Sequence, residues 1–302
     1  ATPPRPPRHT SKTRRRNSPA RIGKEGKIRP LADAYREGLA LAGPGTDRAF
    51  EVSCLFEGAF GLPRYAPGLD ARQAGTPALE RFFAHCRKLA EGEPLQYLLG
   101  EWEFFGLPFF VGEGVLIPQP DTETLVETAL GLMEGTPSPV VADLCAGSGC
   151  VGISIAHMRP DARVYALELS EAAFPYLARN IERNGAPVEA LHCDALAPPA
   201  LPPLDGVVSN PPYISREEMA GLPPQVKREP EMALYGGGDG LDFYRALPDV
   251  YRPLIKEGGF LALEVGYTQA EAVAALVRGA GFHAVETRRD LAGVARVVTG
   301  LK

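Results

Sequence analysis

The sequence predicts an α/β protein in which a small helical domain and a β-hairpin linker precede a mostly parallel, doubly wound sheet with an antiparallel C-terminal hairpin. Three observations support this prediction. Strands and helices alternate from Val140 onward, and helical periodicity fills the region before Gly92. Short apolar runs separated by turns lie between this helical region and the alternating region. With 302 residues, the chain is long enough for about two domains with buried cores.

Composition excludes several classes of protein. Hydrophobic residues make up 45% and charged residues 23%, which is average for a soluble globular protein, and no apolar run approaches the ~18 residues that a membrane span requires. The five cysteines include no Cys-x-x-Cys pair and have no histidine beside them at zinc-ligand spacing. We therefore expect no membrane partner, no metal and a reducing, cytoplasmic location. We also expect a monomer.

Residues 1–29 predict a disordered basic tail. They hold five prolines, and ten Lys and Arg against one acidic residue give a net charge of +9, whereas the rest of the chain carries −14. A solvated arm is the favoured interpretation, and a weak RNA contact by the tail is the sharper alternative. A weak likeness to an organellar transit peptide is opposed by the prolines. The acidic body argues against a stable nucleic-acid partner.

Residues 30–93 predict a small helical domain. Apolar residues recur at helical spacing in three stripes, the second beginning after Asp47 and the third after Thr76, which we expect to cap its helix. Phenylalanines at this spacing are typical of a core, so we assign no chemistry here.

Residues 94–120 predict the β-hairpin linker, with short strands at 102–105, 109–111 and 115–117.

Residues 121–302 predict the main α/β domain. A helix is expected to begin at Asp121, which can cap it. Strands are predicted at 140–144, 163–169, 189–193, 206–209 and 260–265, and helices at 152–158, 171–184, 242–255 (interrupted) and 269–279. Two final strands, 282–288 and 295–299, are expected to pair as a hairpin at the edge of the sheet.

A glycine-rich turn follows the first strand of this domain. Gly147, Gly149 and Gly152 form a G-x-G-x-x-G pattern between a strand and a helix, and Glu168 lies about 20 residues further on. Asp143, at the end of the strand, would oppose a pyrophosphate but would favour the ammonium group of S-adenosylmethionine. Glu168 can accept hydrogen bonds from ribose hydroxyls. We therefore predict S-adenosyl-L-methionine rather than a nicotinamide dinucleotide; a purely structural turn is the alternative.

The remaining predicted contacts with this cofactor lie on the same turn and after the third strand. Within the turn they are Cys145, Ala146 and Ser148. Cys145 is interpreted as a small packing residue rather than a nucleophile. Asp194, or the backbone amide beside it at Ala195, is placed to meet the adenine amino edge, and a simple turn-forming role for Asp194 is equally favoured.

The tetrapeptide Asn210-Pro211-Pro212-Tyr213 follows the fourth strand. Two prolines stiffen the main chain and remove two N–H donors, so its carbonyls are free to accept hydrogen bonds from a substrate. The Asn210 side-chain oxygen and the Pro211 carbonyl can each accept one N–H of a planar amino group, and Tyr213 can pack on its flat face. We predict that this segment binds substrate and that Asn210, Pro211 and Tyr213 act in catalysis by alignment. A plain proline-rich turn is the alternative.

Together these motifs resemble the release factor glutamine methyltransferase (PrmC/HemK) family, over about residue 47 to the C-terminus. Asp143–Gly149 and the Asn-Pro-Pro-Tyr segment resemble the wider class of amino-methyltransferases. The more specific likeness lies in EPLQYLLG (93–100), EF (103–104), LIPQPDTE (116–123), REP (228–230), GDGLDFYR (238–245) and LEVG (263–266).

The resemblance implies methylation of the side-chain amide nitrogen (N5) of the glutamine in the Gly-Gly-Gln motif of class I peptide chain release factors. It also implies a Rossmann-like class I methyltransferase domain, with the helical domain and the linker helping to hold the protein substrate. Carried over by position, residues 145–149 form the donor turn, Glu168 the ribose acceptor and residues 210–213 the substrate clamp, with Asn210 near the donor as well. The sequence departs from the family pattern at Gln119, where the family has arginine, and at Cys145, where it has glycine.

Other functions share parts of this pattern. An rRNA or DNA amino-methyltransferase could use the same clamp on a flipped base, but the acidic body argues against it. A nicotinamide-dependent oxidoreductase would share the glycine turn but has no use for Asn210–Tyr213. A non-catalytic adaptor would be expected to have lost one of the two sites, and both are present.

Overall fold

The computed structural model describes residues 29–302 of the chain. The disordered tail predicted for residues 1–29 lies outside the described residues, except for Arg29. No helix in the described part is both long enough and apolar enough to cross a membrane.

Four helices form the N-terminal region: α1 Leu31–Ala42, α2 Arg48–Phe60, α3 Thr76–Ala90 and the short α4 Leu95–Leu99. Their apolar stripes meet in one core, in which the Phe56 and Phe82 rings pack edge to face with centroids 5.7 Å apart. Strands β1 Arg29–Pro30 and β2 Gln73–Ala74 pair beside it. The predicted cap at Thr76 is wrong, because Gly75 precedes the first turn and the buried Thr76 hydroxyl has no hydrogen-bond partner among residues 29–302.

A hairpin of β3 Glu101–Phe104 and β4 Leu107–Phe110 follows. Phe105 and Gly106, both with positive φ, form its two-residue turn, which matches the twist of paired strands. The third predicted strand, 115–117, is not a strand. Side chains hold this segment instead: the Tyr97 hydroxyl donates to the Val115 carbonyl (2.6 Å), and the Ile117 N–H donates to Glu229 (2.9 Å).

The main domain is a seven-stranded sheet with helices on both faces. Its strands are β5 Val140–Leu144, β6 Arg163–Glu168, β7 Val188–His192, β8 Leu204–Ser209, β9 Ile255–Glu264, β10 His283–Arg289 and β11 Ala295–Leu301, in the order β10-β11-β9-β8-β5-β6-β7. Strands β5 to β9 run parallel, and the predicted antiparallel hairpin β10–β11 is confirmed at the edge. Strand β5 lies between β6 and β8, so the order in which successive strands are added to the sheet reverses at β5. Folds of this kind bind ligands at the carboxyl ends of the strands at such a reversal.

Helices cover each face of this sheet. The helices of this domain are α5 Glu123–Leu132, α6 Cys150–Met158, α7 Phe174–Asn184, α8 Arg216–Gly221, α9 Glu231–Leu234, α10 Asp242–Tyr251 and α11 Ala270–Gly279. Helices α5 and α6 pack on one face, and α10 and α11 pack on the other. The helix expected to run to residue 255 ends at Tyr251, since Ile255 already begins β9. Asp121 does not cap α5; its carboxylate pairs with Arg296 (2.6 Å).

Candidate active site

A cavity of ≈ 290 Å³ opens at the carboxyl ends of β5 to β8. Most of the predicted site residues line it: Cys145, Ala146, Gly147, Ser148, Glu168, Asp194, Ala195, Asn210 and Pro212. The others that were predicted, Asp143, Gly149, Pro211 and Tyr213, are not among its lining residues. The topology thus brings the glycine turn and the Asn-Pro-Pro-Tyr segment, about 60 residues apart in sequence, to one site.

The first two glycines of the turn, Gly147 and Gly149, have different roles. Both have positive φ, +56° at Gly147 and +81° at Gly149. A Cβ at Gly147 would meet no atom within 4 Å, so its backbone faces open cavity. A Cβ at Gly149 would lie 2.5 Å from Cδ1 of Leu177 and 2.9 Å from Cδ1 of Ile153. Gly147 therefore permits approach of a ligand, whereas Gly149 permits the packing of α6 and α7 under the turn.

Asp143 supports the turn from below. Its side chain is buried, and Oδ2 accepts a hydrogen bond from the Gly152 N–H (2.8 Å) in the first turn of α6. Burial raises the pKa of Asp143 to about 7, and the Gly152 N–H opposes that rise. A Cβ at Gly152 would lie 2.9 Å from the same oxygen, which explains the glycine. The direct ligand contact predicted for Asp143 is not supported, because the carboxylate is used inside the protein.

Glu168 lines the cavity at the end of β6. Its two carboxylate oxygens accept hydrogen bonds from the N–H groups of Gly147 (2.7 Å) and Ser170 (2.6 Å). These bonds fix both the carboxylate and the glycine turn in place. Each oxygen keeps a further acceptor site, so Glu168 can still bind a pair of hydroxyl groups.

Asp194 and Ala195 form the wall after β7. Oδ1 of Asp194 accepts from the Leu196 N–H (2.8 Å), which is the turn-forming role, while the residue also lines the cavity. The Ala195 carbonyl accepts from the buried Tyr251 hydroxyl (2.8 Å).

Burial raises the pKa of the Cys145 thiol to about 12, so the thiol stays protonated and is not an activated nucleophile.

A second glycine-rich segment holds the Asn-Pro-Pro-Tyr backbone. A Cβ at Gly236 would lie 2.5 Å from the Pro212 carbonyl oxygen, and one at Gly240 would lie 2.3 Å from the Tyr213 carbonyl oxygen. The Gln269 amide donates to that same Tyr213 oxygen (2.9 Å). The side chain of Tyr213 packs against the core of the sheet, and burial raises its pKa to about 12. Stacking of Tyr213 on a substrate is thus not supported by its position.

The Asn210 side chain is fixed by a residue that sequence reasoning missed. Its Nδ2 donates to the Thr122 hydroxyl (3.2 Å), and Thr122 is buried and lines the cavity. This bond engages the amino end of the amide, and Oδ1 accepts no hydrogen bond from the residues that the structure describes. Other lining residues also received no role from sequence: Ile117, Gln119, Pro230, Met232 and Phe243. The signal was available, since most of them lie in the quoted LIPQPDTE, REP and GDGLDFYR motifs.

Comparison with known proteins places the chain in a family. A family model described as "Methyltransferase small domain" matches residues 122–224. A release factor glutamine methyltransferase of Moorella thermoacetica is 42% identical over 83% of this chain and 89% of its own length, and one of Geobacter sulfurreducens is 38% identical over 90% and 96%.

Among solved structures, the hMettl16 catalytic domain in complex with MAT2A 3′UTR hairpin 6 has a TM-score of 0.55 over 76% of this chain and 84% of its own, at 16% identity. That likeness extends to the fold alone. The sequence relatives match at much higher identity and over nearly their full length. On that evidence, this chain belongs to the release factor glutamine methyltransferase family.

Proposed function

We propose that the chain transfers a methyl group from S-adenosyl-L-methionine to the side-chain amide nitrogen (N5) of the glutamine in the Gly-Gly-Gln motif of class I peptide chain release factors. One observation carries the proposal: an open glycine turn and Asn210, whose Nδ2 is bonded to Thr122, line one cavity. The family of the relatives supports glutamine as the acceptor. From a substrate of this kind we infer that the reaction takes place in the cytoplasm.

The cavity residues fit the donor. The backbone at Gly147 leaves a cradle that a Cβ would fill, and Glu168 offers fixed carboxylate oxygens for two ribose hydroxyls. Ala195 and Leu196 provide an apolar wall for a flat ring, with Asp194 at its edge. When bound, S-adenosylmethionine supplies a methyl group on a sulfonium, which leaves as a neutral thioether. Asp143 contributes by holding α6 against the turn.

Asn210 and Pro211 orient the acceptor. The Asn210 Oδ1 and the Pro211 carbonyl each accept one N–H of the glutamine amide, which directs its nitrogen toward the methyl group; Pro211 is not among the lining residues, so only its carbonyl oxygen is assigned to the site. Pro212 forms the rigid wall beside it. Alignment provides the catalysis, because the nitrogen releases its proton to water only after it gains the methyl group and needs no strong base beforehand. The helical region (30–93) and the linker (94–120) hold the body of the release factor.

Mass spectrometry tests the proposal. The chain is incubated with a release factor and isotopically labelled S-adenosylmethionine, and the tryptic peptide containing Gly-Gly-Gln is sequenced. We expect one labelled methyl group on the glutamine and none on a release factor with alanine at that position. Label on rRNA or DNA, with none on the release factor, would favour the nucleic-acid alternative and overturn glutamine as the acceptor.

A further inference from the structure

Glu264 is a buried carboxylate next to the substrate clamp. It ends β9, which pairs in parallel with β8 so that Leu263 lies opposite Ser209. The next residue along the chain is therefore Glu264, the last of β9, in one case and Asn210, the first after β8, in the other. Glu264 is only 2% exposed, and its Oε2 has no hydrogen-bond partner within the described part of the chain. Burying a carboxylate is costly, so a buried acid at this position calls for a reason.

Its neighbours indicate that reason. The Thr122 hydroxyl and the Asn210 side-chain amide both lower the pKa of Glu264 and so favour its charged form. Thr122 accepts a hydrogen bond from Nδ2 of Asn210, so its own hydroxyl proton is free for another acceptor. The Tyr244 hydroxyl donates to the Glu264 backbone carbonyl (2.7 Å) and fixes the end of the strand.

We propose that Glu264 is a positioning residue for methyl transfer: with Thr122 it holds the amino end of the Asn210 side chain, so that Oδ1 faces the amide of the substrate. The two ends of an asparagine amide have nearly the same shape, and only hydrogen bonding distinguishes them. Turned the other way, Asn210 would present its own N–H groups to those of the glutamine. The inference rests on the proposed function and deepens it.

Several titratable groups surround Glu264. Arg296 of β11 favours its charge, and Asp121, before α5, opposes it. The remaining neighbours stay neutral near pH 7, because burial raises the pKa of Tyr213 and Cys150 to about 12 and that of Tyr244 well above its ordinary value. Burial also raises the pKa of Glu264 to about 7. Its charge therefore changes between pH 6 and pH 8, and an acceptor-positioning role predicts turnover that falls as the pH is lowered across that range.

Glu264→Gln tests the inference. The glutamine keeps the shape but removes the charge and places an amino group beside that of Asn210. We expect kcat for release factor methylation to fall about 10²-fold, as for a small misplacement of a catalytic group, with the KM for S-adenosylmethionine little changed. We also expect the ratio of kcat at pH 8 to kcat at pH 6 to be smaller in the variant. Glu257→Gln, on the exposed part of the same strand, is the matched control.

A second pair of variants covers the case in which Glu264→Gln does not fold. Thr122→Val removes the hydroxyl between the two side chains, and Thr122→Ser keeps it. We expect Thr122→Val to lose turnover and Thr122→Ser to recover most of it. If the wild type is active, either of two results overturns this inference alone. One is that Glu264→Gln leaves both kcat and the ratio of kcat at pH 8 to kcat at pH 6 unchanged; the other is that the two Thr122 variants have equal turnover. A wild type inactive on release factors overturns the proposed function, and this inference with it.

Discussion

The glycine turn, proposed to bind the donor, and the Asn-Pro-Pro-Tyr segment, proposed as the acceptor clamp, meet at one cavity but are held in different ways. The turn is supported from nearby in sequence: Asp143 binds the Gly152 N–H, and Glu168 binds the N–H groups of Gly147 and Ser170. The clamp is supported from far away in sequence, by Thr122 on one side and Gln269 on the other. The glycine turn is thus built within one β-α-β unit, whereas the Asn-Pro-Pro-Tyr segment is held by residues from distant parts of the sequence.

The largest effect is expected at Asn210, where the clamp meets the substrate. Loss of one positioned hydrogen-bonding group typically costs about 10²–10³ in rate, or roughly 2.7–4 kcal/mol. Asn210→Ala should therefore lower kcat on a release factor by that factor, while the Kd for S-adenosylmethionine changes far less. Steady-state kinetics and calorimetry measure the two quantities. Asn184→Ala, an asparagine of α7 that bonds only backbone carbonyls, is the control.

Asn210→Asp sharpens this test. The acceptor oxygen survives, but the amino group that donates to Thr122 is lost and a negative charge arrives beside Glu264. Partial activity would support the acceptor role of Oδ1. If Asn210→Ala instead weakens donor binding as much as it slows turnover, the separation of the cavity into donor and acceptor regions is wrong.

Glu168 provides the reciprocal test on the donor side. Glu168→Ala should weaken S-adenosylmethionine binding by about 1.5–3 kcal/mol, the range for hydrogen bonds to a charged group, and calorimetry measures it. The variant also frees the N–H groups of Gly147 and Ser170, so the turn itself loosens. Glu171→Ala, an exposed carboxylate nearby, should bind normally. An unchanged Kd in Glu168→Ala would show that the ribose binds elsewhere.

The same contrast explains what could be predicted from sequence. The alternation of strands and helices, and the glycine turn with Glu168, are local patterns, and they predicted the sheet and the side of the cavity lined by that turn. The contact of Thr122 with Asn210 joins residues 88 positions apart, and no periodicity reports it. Side-chain direction was also beyond local reasoning: Asp143 ends the correct strand but bonds to α6, and Tyr213 follows the correct prolines but packs into the core.

The two glycines of the turn separate stability from binding. Gly149→Ala forces a Cβ against Leu177 and Ile153, and overpacking of this kind costs about 1–3 kcal/mol in the free energy of unfolding. Gly147→Ala meets no protein atom, so its cost is mainly the strain of positive φ, about 1–2 kcal/mol, but its methyl group occupies the donor cradle. Denaturant unfolding and calorimetry should thus show Gly149→Ala as the less stable variant and Gly147→Ala as the poorer binder. The reverse order would contradict these assignments.

The smallest effect is expected at the linker, which is held to the cavity wall by Glu229. Its carboxylate accepts from the Ile117 N–H (2.9 Å), and burial raises its pKa to about 7. A carboxyl group with a raised pKa in the folded state adds stability when it is protonated at low pH, and this contribution is lost as the pH rises from about 4.5 to about 7. Glu229→Gln keeps an acceptor for Ile117 but cannot titrate.

The stability of Glu229→Gln relative to the wild type should therefore increase from pH 5 to pH 8. The change should be on the order of 1 kcal/mol, since one pKa unit corresponds to about 1.4 kcal/mol and solvent screens part of the shift. Urea unfolding at the two pH values measures the difference, with the exposed Glu231→Gln as control. Parallel stability curves for the variant and the wild type would mean that Glu229 is solvated. In that case the linker would be held at Ile117 by a weaker contact than either the donor turn or the acceptor clamp has.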